Sequence, residues 1–590
     1  MQEISFTHLN KKQQEAVKHG EGPSVILAGA GSGKTRVLVN KVENLVQNHK
    51  IDPLSILMIT FTNKAASEMK KRVGIKLGYV GTFHSFCCQI LRRDGVHIGI
   101  DHNFTIYDDD DQGNLIKIVL KKLDSKKYTP SYFQYRISAA KNQLITPARY
   151  LDVFSDYGAS LTAEVYEKYQ KELEQNKAVD FDDLIMKVCE LFTKHPPVLA
   201  KYQDKYRYIL VDEYQDTNYS QYMLTKLISA KYKNITVVGD FSQSIYSWRG
   251  ADIRNLEKFN EEFPNVKIFN LEQNYRSTQT ILDFAYDVIS KNQTHPVLHL
   301  FTENERGEDI QYYQADNEEA EAIFVASEIE RLVRVGDYSL FAVLYRTNAQ
   351  SRVIEEAFLN YGIPYTLIGG TRFYERREIK DVLSYLRLFV NNEDQIATDR
   401  IKKLGKKRWS EFVAFYKETA SQFSEFSTVE LMERIFNRTG YLDMYNLHDE
   451  EDYMRLENIK ELKSVAINFP KPVEFLEQIA LVESEYFEGE KKKKNSEGVR
   501  LTTLHQAKGL EFEYVFIVGL EEGILPHSRS VDNQFQLEEE RRLFYVGITR
   551  ARQKLYITYA KRRFIFGRRN EAMKSRFIRS EDEDVTSSWY

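Results

Sequence analysis

Cysteine is scarce in this chain. Cys87, Cys88 and Cys189 are the three among 590 residues, and no pair has Cys-x-x-Cys spacing. Adjacent cysteines such as Cys87 and Cys88 rarely pair. A disulfide framework and a cysteine-held zinc or iron–sulfur centre are therefore set aside, and a reducing compartment is expected. Long apolar runs are also missing. Ser55–Phe61 and Tyr514–Leu520 are the longest, far short of the ~18 residues that a membrane span needs. The N-terminal MQEISFTHLNKKQQEA lacks the basic-then-apolar profile of a signal peptide. A cytoplasmic protein with no membrane partner is the expectation. Charge of one sign is lacking too: 82 Lys and Arg against 86 Asp and Glu leave −4. Any nucleic-acid binding must then rest on local basic and aromatic positions, not on overall charge.

What is present is a chain too long for one core, 42% hydrophobic and 28% charged, which reads as soluble and globular with roughly three to five domains. Ser24–Ala28 is a short apolar run, followed by a glycine loop and a helical pattern from Arg36 to Val46. Ile56–Phe61, Tyr208–Val211 and Ile235–Gly239 repeat the theme of a buried strand, a polar turn and a helix. Such units imply a parallel sheet covered on both faces. The acidic strand end at Asp212 arrives long after the glycine loop, so 104–177, helical in pattern, is read as an insertion. A second α/β pattern begins near Leu271, includes Phe341–Tyr345, and resumes at Val499–Leu504 and Val515–Gly519 after a Lys/Glu-rich helical stretch. The expected fold class is α/β, with two parallel-sheet cores that each carry a mostly helical insertion. The expected segments are 1–103 with 178–270, insertion 104–177, 271–378 with 496–579, insertion 379–495, and a flexible tail 580–590. Lys491–Lys494 lies in a charged linker. Asp108–Asp111 are read as acidic residues opening a helix and not as a calcium loop, because the alternating ligands are absent.

The chemistry concentrates in a few segments. Ala28-Gly29-Ala30-Gly31-Ser32-Gly33-Lys34-Thr35 fits a phosphate loop, with Ala28 in place of the usual first glycine. Its amides cradle phosphate oxygens, Lys34 reaches the β and γ phosphates, and the Thr35 hydroxyl ligates Mg²⁺. Asp212 and Glu213 follow an apolar strand, where an open sheet presents its ligand. Asp212 suits Mg²⁺, and Glu213 suits orienting and deprotonating a water. Arg276 and Arg550 are assigned to the second core as guanidiniums for developing phosphoryl charge; taken singly, each also reads as a surface ion pair. Tyr246, Trp248 and Arg249 follow a strand, and stacking on aromatics holds bases without regard to sequence. Trp248 alone also reads as core packing. The basic stretch Lys561–Arg569 reads as either a solvated strand edge or a nucleic-acid track.

Taken in order, these segments resemble the UvrD/Rep/PcrA group of superfamily 1 helicases. The set runs Leu9-Asn-Lys-Lys-Gln13, AGAGSGKT, Thr60-Phe-Thr-Asn-Lys-Ala65, Thr82-Phe-His-Ser85, Asp180-Phe-Asp-Asp183, DEYQD, GDFSQSIYSWRGA and LEQNYRS. It continues through Arg346-Thr-Asn-Ala-Gln-Ser-Arg352 and Thr503-Leu-His-Gln-Ala-Lys-Gly-Leu-Glu511 to EEERRLFYVGITRA, covering about Thr7 to Phe577. The resemblance implies two RecA-like cores with insertions, and an ATP- and Mg²⁺-dependent 3′→5′ motor on single-stranded DNA and its junctions with duplex, acting in DNA repair or replication. It assigns adenine to Gln13 and Tyr275, ribose to Glu511, and the phosphate site to residues 28–36, including Arg36, with Asp212, Glu213, Gln243, Arg276 and Arg550. It assigns the strand path to Phe61, Thr82, His84, Tyr246, Trp248, Arg249, Arg346, Asn348, His505 and Phe566.

Three departures accompany it. Gly-Asp-Phe-Ser-Gln stands where relatives are more acidic, the second insertion is short with Ile401–Arg408 in place of a Gly-Ile-Gly duplex loop, and no long extension follows Phe577. A translocase that mainly displaces proteins, with weak unwinding, is the alternative. Because 381–495 holds none of the assigned residues, its deletion is expected to leave the motor working.

Overall fold

The computed structural model describes residues 6–125, 127–333, 337–420, 422–447, 449–491, 498–565 and 568–578. Two compact units form: Met1–Arg276 with Ile289–Asn304, and Ser277–Val288 with Glu305–Tyr590. Arg276 therefore closes the first unit and does not open the second, and 289–304 return to the first. The reason is local. Tyr275 N donates to Gly31 O and Asn274 Nδ2 donates to Ala30 O, which ties this segment to the glycine loop.

The first unit is built on six parallel strands: β1 (Ser24–Ala28), β2 (Ile56–Thr60), β3 (Tyr79–Thr82), β4 (Tyr208–Val211), β5 (Ile235–Gly239) and β6 (Lys267–Leu271). Their order across the sheet is β3-β2-β4-β5-β1-β6. Side chains alternate between faces along a strand, and here both faces are buried. Val25, Leu57, Ile209 and Val237 enter one hydrophobic cluster, while Ile26, Met58, Leu210 and Val238 enter another. Such continuous apolar runs are what a doubly covered parallel sheet requires. β6 pairs with β1 and forms an edge of this sheet; its last residue, Leu271, had been read as the start of the second core.

The first insertion rests on a separate cluster around Leu115, Phe133, Tyr166 and Tyr169. A short parallel pair, Thr105–Tyr107 with Ala178–Asp180, closes its neck. Lys141, fully buried, bridges Asp180 (2.6 Å) and Asp183 (2.9 Å) across that neck. Asp108 caps helix Asp109–Lys122, so the acidic run opens a helix as expected.

The second unit holds another six-stranded parallel sheet: β7 (Gln311–Ala315), β8 (Phe341–Tyr345), β9 (Tyr365–Leu367), β10 (Val499–Thr503), β11 (Phe512–Ile517) and β12 (Ala551–Ala560). The order is β7-β12-β11-β8-β10-β9. The second insertion runs through helices from Arg377–Val390 to Pro472–Lys491 around its own cluster, including Tyr385, Phe412, Leu431 and Leu462. The α/β class with two parallel sheets and helical insertions thus holds. The linker at 492–497 and the tail 580–590 lie outside the described residues.

The second insertion is less separable than its lack of motif residues suggested. Helix Glu450–Ile467 gives Glu461 to Arg352 Nε (2.7 Å) and Asn458 to Arg376 Nη1 (2.9 Å), both arginines belonging to the sheet side of the unit. Deleting 381–495 takes Glu461 from Arg352, which keeps Glu356, and Asn458 from Arg376, which keeps Ser351 and the Asn348 carbonyl. Breaking such a pair costs about 3 kcal/mol at the lower end, so the second unit's melting midpoint should drop by roughly 6–12 °C. Calorimetry of the deletion protein checks this; an unchanged midpoint would show that the pairs contribute nothing.

Candidate functional site

The glycine loop leaves β1 at Ala28 and enters helix Lys34–Gln47. Gly31 (φ 65°) and Gly33 (φ 85°) occupy the left-handed region, which glycine adopts without steric cost. A Cβ on Gly31 would also lie 2.7 Å from Asn274 Nδ2. Outside partners brace the loop through its carbonyls: Gln13 Nε2 donates to Ser32 O (2.9 Å), and Asn274 and Tyr275 hold Ala30 and Gly31. The first amides and the dipole of helix Lys34–Gln47 favour an anion at this place. Thr35 is half-buried and Arg36 is exposed, reaching His8 O.

The strand order brings the acidic residues alongside. β4, which leads into Asp212 and Glu213, pairs with β5, and β5 pairs with β1. Lys34 Nζ donates to Glu213 Oε2 at 2.7 Å. Burial alone would lower the Lys34 amine, but Glu213, Asp240 and Asp212 outweigh it and raise it, so the amine stays charged. Asp212 is buried, and burial with the neighbouring Glu213 pushes its carboxyl up to about 7. Its Oδ1 has no hydrogen-bond partner, nor do Ser32 Oγ and Thr60 Oγ1. Buried oxygens left unpaired are costly, and an oxygen-rich set of this kind suits a hard divalent cation. Glu213 itself has φ 52°, a backbone position costing a non-glycine residue of order 1–3 kcal/mol and typical of functional sites. Gln243 is buried with Nε2 on Asp240 Oδ2 (2.7 Å).

Family models match this architecture along most of its length. The UvrD/REP helicase N-terminal domain matches residues 9–264, and the UvrD-like helicase C-terminal domain matches 269–410 and 402–562. The chain belongs to the UvrD/REP helicase family. It is 45% identical over 635 aligned positions to the ATP-dependent DNA helicase PcrA of Bacillus subtilis (strain 168), covering 98% of this chain and 86% of that protein. The PcrA proteins of Staphylococcus aureus (strain Mu50) and Staphylococcus epidermidis (strain RP62A) are each 44% identical, covering 98% of this chain and 87% of theirs. The 635 positions exceed the 590 residues of this chain, so the relative holds segments that this UvrD/REP helicase lacks.

The remaining assigned residues fall into distinct places. In the first unit of this UvrD/REP protein, Thr82 ends β3, and Phe61, His84 and Tyr246–Arg249 follow the carboxyl ends of β2, β3 and β5, the edge that also bears the glycine loop. Trp248 is 36% exposed, with the Arg249 guanidinium 4.5 Å from its ring centre. Tyr246 is half-buried, its ring centre 6.4 Å from that of Trp248. Phe61 packs its ring against Phe83, and the Thr82 hydroxyl accepts from Ser85 N as a helix cap. Burial lowers His84 and keeps it neutral; its ring meets Phe181 edge-on at 5.8 Å. Phe181, 48% exposed, was missed in the sequence, although an aromatic inside an acidic tetrad was a usable signal. Gln13 is fully buried with both amide ends engaged, Nε2 on Ser32 O and Oε1 accepting from Asn10 N. Tyr275 is 44% exposed and its hydroxyl accepts from Asn10 Nδ2.

In the second unit, Glu511 and Arg550 immediately precede β11 and β12, whereas Arg346, Asn348 and His505 follow β8 and β10. Because the strands are parallel, the two groups occupy opposite edges of the sheet. Arg550 is buried, donating from Nη1 to Leu510 O (3.1 Å) and from Nε to Val546 O (2.9 Å), which sets it beside Glu511. Arg346 is buried against Glu540, which it grips through Nε and Nη2. Phe566 lies outside the described residues. Within the basic stretch, Arg563 is no track residue: it is buried between Glu521 and Glu321.

Proposed function

We propose that this protein is an ATP-dependent DNA helicase that moves 3′→5′ on single-stranded DNA, is stimulated by it, and unwinds duplex during DNA repair or replication. The observation that carries the reading is the meeting of Lys34, Asp212, Glu213 and the Asp240–Gln243 pair at one edge of the first sheet. Lys34 binds β and γ phosphates, exchanging its Glu213 partner for them. Glu213, released from that pair, orients the attacking water and takes its proton. Thr35 and Asp212 would hold Mg²⁺, which would supply positive charge to the phosphate oxygens. Gln243 senses the γ phosphate, and Arg276 and Arg550 stabilise charge developing in transfer. Gln13 and Tyr275 read adenine and Glu511 the ribose. Phe61, Thr82, His84, Tyr246, Trp248, Arg249, Arg346, Asn348, His505 and Phe566 line the strand. The polarity and the repair or replication role rest on the family resemblance.

A second reading, a translocase that mainly strips proteins from DNA, draws support from the C-terminal family model. It matches in two pieces that meet at 402–410, inside the second insertion. One experiment addresses both. ATP-driven unwinding should be fast on 3′-tailed duplex and slow on 5′-tailed or blunt duplex. Weak unwinding of every substrate with rapid clearance of a bound protein block favours the second reading. Preference for the 5′ tail would overturn the polarity.

A further inference from the structure

We propose that Gln215 is a positioning residue that aims Glu213 and ties it to the strand-facing segment after β5. The inference rests on the reading of Glu213 as the base. Gln215 is fully buried, and its amide works in two directions. Nε2 donates to Glu213 Oε2 at 2.6 Å and to Asp216 Oδ2 at 3.2 Å. Oε1 accepts from Asp240 N at 3.0 Å. The Gln215 carbonyl accepts from Ser244 Oγ at 3.0 Å. Gly239 leaves room for this approach, since a Cβ there would fall 2.6 Å from Gln215 Oε1.

Glu213 Oε2 therefore has two donors, Lys34 and Gln215. They differ in kind. Lys34 is a cation that a triphosphate competes for, so its hold on Glu213 ends when phosphate arrives. The Gln215 amide is neutral and has no such competitor, so it keeps the carboxylate aimed while the water is deprotonated. The backbone gives no help, because Glu213 lies in the strained left-handed region. Asp240 also accepts from Gln243, and the chain runs on from Asp240 to Tyr246, Trp248 and Arg249. A shift of that segment under a bound strand acts on Asp240 N, then on Gln215, then on Glu213.

Gln215→Ala removes both links. Gln215→Glu keeps an acceptor for Asp240 N but replaces the donor to Glu213 with a like charge. Single-turnover ATP hydrolysis with saturating single-stranded DNA should slow at least tenfold in both, with KM for ATP within threefold. Rates within twofold of the parent in both variants would overturn the proposal. So would slowing that tracks a lowered melting midpoint or comes with an equal rise in KM, since that is ordinary loss of packing. Glu213→Gln is measured alongside. If it turns over normally, the base assignment fails; if it is inactive while the Gln215 variants are normal, this inference alone fails.

Discussion

Lys34→Ala should lower ATP turnover at least about 10²-fold, the scale for removing one charge-stabilising donor from a preorganised site. Lys34 is the first residue of a helix entered from a left-handed glycine, and its ammonium meets Glu213 at 2.7 Å. Its partner Glu213 shows what the amine does without phosphate: it neutralises the carboxylate. The substitution therefore removes a phosphate ligand and also leaves Glu213 and Asp212 as uncompensated neighbours. Nucleotide-free binding of single-stranded DNA should change little, because Trp248 and Arg249 lie after β5, in a different segment from Lys34, and pair with each other. Phosphate release and fluorescence anisotropy with a labelled strand measure the two effects separately. Turnover close to the parent rate would end the phosphate-loop assignment.

Arg550→Ala should slow turnover by roughly 10³–10⁵-fold, the range for losing a guanidinium that meets developing phosphoryl charge. ATP affinity should stay within a few-fold, because an interaction made in the transition state alters rate more than ground-state binding. The buried guanidinium also satisfies the carbonyls of Val546 and Leu510. Arg550→Lys is therefore run beside it, keeping the charge without the planar fork. Nucleotide affinity, turnover and cooperative melting are compared for both. Affinity lost with kcat unchanged would make Arg550 a ground-state ligand.

Much of this was legible in sequence because it is local. β1, β4, β5 and β8 were bounded by apolar runs meeting polar turns, and each appears with the expected limits. The acidic run before Leu115 capped a helix, since Asp108 needs only the amide three residues on. The boundary at Leu271 was set a few residues early because Lys267–Leu271 is an edge strand, largely exposed, whose membership depends on pairing with β1 far away in sequence. Arg563 was misjudged for a related reason. A basic run looks solvated until the partners that bury it, Glu321 and Glu521, are known. Arg352 and Arg376 carry no motif role, and only their bonds to Glu461 and Asn458 reveal that the second insertion is structurally engaged.

By itself the sequence determined the α/β class, the glycine loop, the acidic strand end and the ordered motifs of a UvrD/REP helicase. Each depends on residue type and spacing over a few positions. Tertiary structure alone decided which of those segments meet. The strand order β3-β2-β4-β5-β1-β6 places β4 and β5 beside β1, so Glu213 reaches Lys34 across 179 positions of sequence. It also buried Gln215 between two motifs and separated Arg550 from Arg346 onto opposite edges of one sheet. Pairing between distant strands is set by the packing of whole faces against helices, a sum over many residues that no short pattern carries.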